Sequence, residues 1–373
     1  IVLGGSDDKK VSPTLTTVSV ATTATLATDD TTEPTITAPI DTEPDSTEPV
    51  ETFTIDTLPD ENKEIAGSPA GKKGSRDAPV PAGTVADIGG GWRLQVLGYT
   101  ADATADVMAA SEFNDPPPAG STFSIVKVAL GYFGINDPKS GYEPTISALG
   151  ASSVELSAGC GTIANDLNTY RDIFSGGVIQ GSLCFVTTPA DAASLQMYAI
   201  GDYFGDNPEV FIEAAEPASA TPLAAMKGPQ DGAAFTPARL KANPVGTVGD
   251  VGEGWSVSVT GAAHDITDAV VADSFNEPPP EGYRFIAVDV AYTFNGTGSD
   301  SAFSVTTHAV ADGNVALAEE CGSIPTPIDD FVDVFAGGSV AGSVCFVVPA
   351  DATGLVLYSS TGFDTEAVTF ATS

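Results

Sequence analysis

Basic residues are scarce in this chain: 14 lysines and arginines stand against 50 aspartates and glutamates, for a formal net charge of −36. Such a field repels polynucleotides and anionic bilayers, so nucleic acid is not an expected partner. Solubility outside the cell and tolerance of salty water are the plain sources of this acidity, beside a dedicated cation-binding role. Histidine is almost missing. His264 and His308 are the only two, and neither has a counterpart in the other half of the chain. Neither accompanies a G-x-S-x-G nucleophile motif. No P-loop or dinucleotide fingerprint occurs, because Gly89-Gly90-Gly91 leads into a strand and not a helix N-terminus. No run of about 18 apolar residues is present, so no complete membrane-spanning helix is expected within the sequence. The opening IVLGGSDDKK reads as the tail of an apolar segment before a charged stop, which points to a signal or anchor upstream of Ile1. No cysteine follows those apolar residues, so a lipid-anchored cysteine is not supported there.

Aromatic residues are nearly lacking from 6 to 79, where Phe53 stands alone among Thr, Pro, Asp and Glu. A stretch of that composition buries too little apolar surface to offset an ordering cost of roughly 1–2 kcal/mol per residue. Residues 1–79 are therefore expected to form a disordered acidic stalk, open to O-glycosylation. Within it, VSPTLTTVSVATTATLATDD is β-prone and uncharged up to Asp29, and could pair with a sheet edge of its own or a neighbouring molecule.

What the chain does contain is repetition. PAGTVADIGGGW ending at Trp92 matches PVGTVGDVGEGW ending at Trp255, and FNDPPPAG from Phe113 matches FNEPPPEG from Phe275. Each tryptophan opens a period-two strand, with Trp92, Leu94 and Val96 on one face and Trp255, Val257 and Val259 on the other copy's equivalent. The proline triplets must be loops, since they cannot join a ladder. The long strands after them align Val126, Val128, Leu130 and Tyr132 with Val288, Val290, Tyr292 and Phe294. The alternate face carries Lys127 in one copy and Asp289 in the other, which places it in solvent and the Val/Tyr face in the core. Short strands punctuated by Gly and Pro, with no helical periods between them, indicate two tandem antiparallel β-sandwiches. The expected boundaries are 80–215 and 244–373. The Ala/Pro-rich stretch 216–243 reads as a linker, leaving the two domains to move independently unless they share an interface.

Cysteine is limited to Cys160, Cys184, Cys321 and Cys345, with equal spacing in each copy. One disulfide per copy follows, and with it an oxidising compartment; zinc would need closer Cys pairs or nearby His. In GGVIQGSLCFV the apolar face is Ile179, Leu183 and Phe185, with Gly181 in phase; in GGSVAGSVCFV it is Val340, Val344 and Phe346, with Gly342. Cys184 and Cys345 fall on the opposite face. The bridges are thus expected to pin a polar loop onto the outer face, while Trp92 or Trp255 fills the gap at the glycine.

The Trp-opened strand, the N-x-PPP-x-G loop, the Val-rich strand and GG-x-V-x-G-S-[LV]-C-F-V together resemble the telokin-like, immunoglobulin-like domain of bacterial secreted proteins and lipoproteins. The resemblance covers both copies but not the stalk. It implies an immunoglobulin-like fold and transfers no catalytic residue. The paired cysteines and the proline triplets depart from it.

Carboxylate pairs can be found anywhere in so acidic a chain, and none is marked as a catalytic acid and base. Calcium is the small-ligand alternative, through Glu112, Asn114, Asp115, Asn276, Glu277, Asp300 and Asp312, but no D-x-[DN]-x-[DN]-G loop is present. No cofactor is expected. Asn295-Gly296-Thr297 is a glycosylation sequon. The expectation is a non-catalytic, extracytoplasmic binding or display protein with a protein, glycan or envelope component as partner. Its candidate binding loops are 161–171, with Asp166 and Tyr170, and 322–332, with Asp329, Asp330 and Phe331. The alternative is a subunit of a surface filament or layer, a homo-oligomer assembled by donating the N-terminal strand.

Overall fold

A computed structural model describes residues 63–135, 138–201, 207–230, 238–362 and 366–373. The β-prone N-terminal stretch lies outside these. The first half contains β1 (Ala86–Gly89), β2 (Trp92–Thr100), β3 (Thr122–Tyr132), β4 (Lys139–Ser140), β5 (Thr145–Leu149), β6 (Asp172–Ile173), β7 (Val178–Thr187), β8 (Gln196–Ile200) and β9 (Val210–Glu213). The second contains β10 (Val248–Gly252), β11 (Trp255–Val259), β12 (His264–Asp265), β13 (Tyr283–Phe294), β14 (Ser299–Ser301) and β15 (Val305–Val310), then β16 (Asp333–Phe335), β17 (Ser339–Pro349), β18 (Val356–Thr361) and β19 (Val368–Ala371). All strand pairs are antiparallel. Sheet β1-β2-β3-β7 faces sheet β5-β8-β9, and a sheet in which β10, β11, β13 and β17 follow one another faces β15-β18-β19. The fold is all-β: two tandem β-sandwiches.

Period two decides what faces inward, as the sequence suggests. Leu94, Val96, Val126, Val128 and Leu130 are fully enclosed with Met197 and Ile212 of the opposing sheet. In the second sandwich Val257, Val288 and Val290 meet Leu357 and Phe370. Trp92 packs on Tyr132 with ring centroids 4.9 Å apart, and Trp255 on Phe294 at 5.1 Å.

The outer face of the first sandwich departs from expectation. Arg93 and Gln95 point away from the core yet are only 4% and 1% exposed. A second layer covers them. Arg93 donates to Glu64 at 2.5 Å, Asp87 at 2.9 Å and the Pro69 carbonyl at 3.0 Å. Ile65 and Leu223 close a small apolar cluster with Ala129, Phe133 and Ile135. Residues 63–79, expected in the stalk, are therefore packed on the sandwich. From residue 63 the chain is fixed to the sandwich, because a buried guanidinium takes up Glu64 and an apolar patch takes up Ile65.

The linker reading is corrected in the same way. Gln95 accepts the Leu223 N–H at 2.7 Å and donates to the Thr221 carbonyl at 3.0 Å, so the linker lies docked on β2. Beyond it the sandwiches share a junction. Ile173 forms an antiparallel bridge with Val315, Phe174 donates to the Asn314 carbonyl at 2.8 Å, and Ala316 donates to the Asp172 carbonyl at 2.9 Å. Tyr358 donates to Asp172 at 2.9 Å, and its ring meets Phe174 edge-on at 5.2 Å. The Arg239 guanidinium lies 4.5 Å above the Phe174 ring. A shared interface is present, so free motion of one domain against the other is not the arrangement of this chain.

Candidate functional site

Two short helices unforeseen in the sequence, α1 (Thr104–Ala110) and α2 (Thr267–Val271), build the platform under each disulfide. Each starts from an Asp-x-Thr turn: Asp102 accepts the Thr104 N–H at 3.1 Å, and Asp265 accepts the Thr267 N–H at 2.9 Å. Each then inserts one valine, Val107 or Val270, against the bridge. Cys160–Cys184 sits with Val107 and Phe123, and Cys321–Cys345 with Val270 and Phe285. The cysteines thus lie outside the main core, in a small apolar pocket of their own rather than on a wet surface.

An asparagine ties the proline motif to the loop behind the bridge. Asn114 donates to the carbonyls of Val107 and Thr162, at 2.6 and 2.7 Å, and accepts the Thr162 N–H at 2.8 Å. Asn276 makes the same three bonds with Val270 and Ser323. Both loops then run along the open edge of the cysteine strand. Ser182 exchanges backbone bonds with Asn165 and Leu167, at 2.7 and 3.0 Å, and Ser343 does so with Thr326 and Ile328, at 2.7 and 3.1 Å. This contact explains Gly181 and Gly342. A β-carbon on Gly181 would lie 2.5 Å from Leu167 Cα, and one on Gly342 2.4 Å from Ile328 Cα. The glycine gap is filled by the loop backbone and not by Trp92 or Trp255, which pack at the far end of the central strand.

Past this contact each loop presents an aromatic ring. Tyr170 is 86% exposed and Phe331 83% exposed. Each turn is held by its own polar residue: Asn168 accepts the Tyr170 N–H at 3.2 Å, and Asp329 accepts the Phe331 N–H at 3.3 Å. Neither ring is alone. Tyr170 stacks with exposed Tyr142 at 5.9 Å, and Phe331 with exposed Phe303 at 5.8 Å. Tyr142 and Phe303 were missed in the sequence. They occupy corresponding places in the two copies, in the stretch where the copies look least alike. Phe113 and Phe275, beside the latching asparagines, are also exposed. Asp166 lies apart from the ring pair, on the wall of a cleft between the sandwiches. Asp330 lies near the buried Tyr292 hydroxyl, whose pKa burial pushes up to about 12.

Among the described residues no three His, Cys, Asp or Glu side chains converge as a metal site. Four of the seven residues considered for calcium are engaged within the protein. Asn114 and Asn276 latch their loops, Asp300 accepts from Trp255 Nε1 at 2.8 Å, and Asp312 accepts from Thr353 Oγ1 at 3.2 Å. His264 is exposed. His308 Nδ1 lies 2.5 Å from Glu319 Oε1, and its ring packs 5.4 Å from that of Tyr358. The hydrogen bond with Glu319 raises its pKa above 6.5 against the opposing effect of burial, with the charges of Glu319 and Asp172 adding to the rise. A raised folded-state pKa gives stability that is complete below the ordinary histidine range and is lost as pH climbs through the folded value. The melting-temperature advantage of the parent chain over His308→Gln is therefore expected to shrink between about pH 6 and 8. An advantage constant across that window, measured by scanning calorimetry, would show that the pair does not contribute.

Three solved structures are similar to parts of the chain. An uncharacterized β-sandwich protein from Clostridium difficile shares 11% identity over 35% of this chain and 95% of its own, with a TM-score of 0.23. A candidate lipoprotein from Bacillus subtilis shares 10% over 33% of this chain and 38% of its own, TM-score 0.24. A hypothetical protein from Bacillus anthracis shares 13% over 34% and 94%, TM-score 0.22. No protein-family model matches the chain, and no curated protein matches it in sequence.

Proposed function

We propose that this chain is a non-catalytic, extracytoplasmic binding protein that meets its partner through the ring pairs Tyr142–Tyr170 and Phe303–Phe331. The observation that carries this reading is their duplication. In each pair one ring, Tyr170 or Phe331, stands exposed on a loop fixed by a disulfide, an asparagine latch and a backbone contact with the cysteine strand. The other, Tyr142 or Phe303, stacks on it from the segment after β4 or β14. Core packing asks nothing of these four rings, and rigid exposed aromatics are the residues that supply contact area at low entropic cost. The two disulfides support an oxidising compartment. The sequence likeness to telokin-like, immunoglobulin-like domains of bacterial secreted proteins fits the same setting, with a protein, glycan or envelope component as partner. The filament reading by strand donation has less support. The edges of β7 and β17 are covered by the clamped loops, that of β9 by Val80 and that of β19 by Asn243.

The test compares the parent chain with Tyr142→Ala/Tyr170→Ala, Phe303→Ala/Phe331→Ala and all four changes together. Binding to cell-envelope fractions and to a glycan array is expected to drop about tenfold or more in the fourfold variant, with an unchanged melting temperature. Undiminished binding would overturn the proposal. So would turnover on a hydrolase substrate panel that is lost on changing a loop carboxylate.

A further inference from the structure

The docked linker and the two sandwiches enclose a cleft of about 730 Å³. One wall is the clamped loop of the first sandwich with the start of β7. The linker contributes Met226 and Lys227, and the second sandwich contributes Tyr283, the turn at Asp312 and the end of β17. Clefts of about 300–1,000 Å³ at domain junctions are where small ligands usually bind. The lining is apolar in large part, through Val178, Ile179, Met226, Val315 and Leu317.

Arg171 is the chemically distinctive group in this lining. Its guanidinium donates across the junction to the Ala316 carbonyl, while its Nε is buried without a hydrogen-bond partner. Burial lowers its pKa, the rings of Tyr283 and Tyr358 lie near it, and among the described residues no carboxylate forms an ion pair with it. A part-buried cation without an acid partner is costly wherever water is excluded from it. This chain carries 50 acidic residues, so the missing counterion is not for want of carboxylates.

We propose that the cleft binds a small organic anion, an apolar or aromatic body with a single carboxylate or phosphate head, and that Arg171 receives the head. Tyr283 and Lys227 line the same cleft, and the aliphatic lining takes the body. Asp166, Asp312 and Asp351, also in the lining, set the limit on charge. They repel a polyanion such as a nucleotide triphosphate while leaving a singly headed ligand tolerable. The site is separate from the ring pairs, and its success or failure leaves the function proposed above unaffected.

The full chain is titrated by calorimetry with octanoate, benzoate and phenyl phosphate, with octanol and benzamide as neutral controls. Saturable binding is expected for at least one anion and for neither neutral compound. Arg171→Gln should weaken it about tenfold or more, as expected for a hydrogen bond to a charged group, and Arg171→Lys should restore part of the loss. Because Arg171→Gln also removes the bond to Ala316, Tyr283→Phe and Lys227→Gln serve as rim variants that leave the junction intact. Each should weaken the same anion. The carboxylate and phosphate arms identify the head that fits. No binding of any anion up to millimolar concentration, or parent-like affinity in Arg171→Gln and both rim variants, overturns the proposal.

Discussion

Replacing Cys160 and Cys184 together by alanine is expected to lower stability by about 3 kcal/mol, the chain-entropy value for a closed loop of roughly 25 residues. Urea denaturation of the oxidised parent against the double variant measures it, and the Cys321/Cys345 pair should give a similar loss. The effect has a local signature. The bridge holds the loop whose backbone exchanges bonds with Ser182, so the amides of Leu167 and Ser182 should lose protection against hydrogen exchange before the β2–β3 ladder does. A stability change under about 1 kcal/mol, with those amides still protected, would mean that the asparagine latch and the strand contact hold the loop unaided.

Asn314→Ala is expected to cost about 3 kcal/mol, from two sources of comparable size. Asn314 is fully buried with a φ of 60°, a conformation that asparagine tolerates and alanine does not. Its side chain donates to the Met226 carbonyl at 2.6 Å and accepts from Arg239 at 2.9 Å. Losing these bonds loosens the linker on the second sandwich, where the bond from the Gly228 N–H to the Asp312 carbonyl remains. Asn314→Gly keeps the backbone conformation and removes only the side-chain bonds, so it should recover part of the loss. The readouts are denaturant unfolding, and the width of the interdomain distance distribution between spin labels placed on exposed positions of each sandwich. A variant within about 0.5 kcal/mol of the parent, with an unbroadened distribution, would refute the role given to this residue.

The core was legible because two copies of each strand break the ambiguity of one. Lys127 opposite Asp289 marks the wet face, and the facing of β3 and β13 follows. Helices α1 and α2 were not legible, since 7 and 5 residues carry less than two turns of period. Only the Asp-x-Thr turns before them could have signalled a start. The packing of residues 63–79 was hidden by composition. Gly, Lys and Ala are the commonest residues there. What fixes the segment is a buried arginine on β2, an apolar patch around Ile65 and backbone bonds to the sandwich, which nothing nearby in sequence announces. At the candidate site, Tyr170 and Phe331 were found by their place in the loop. Tyr142 and Phe303 were passed over because they lie about 28 residues upstream, in the least similar part of the copies, and proximity across a sheet end is a tertiary fact. The glycine gap misled for a related reason. Size matching suggested a tryptophan, whereas the space was taken by backbone.

The strand edges closed by the clamped loops bear on more than shape. An uncovered β7 or β17 would present a row of unpaired N–H and C=O groups beside Val, Leu and Phe, the template on which separate molecules add strand to strand. Among the described residues a few backbone bonds per copy screen that template, at Ser182, Cys184 and Val186 in the first and at Ser343 and Val347 in the second, and a disulfide helps to keep them in place. Reductant should therefore make the protein self-adhesive well before it unfolds, and strong salt should hasten it, because screening removes the repulsion of a −36 charge that otherwise keeps molecules apart.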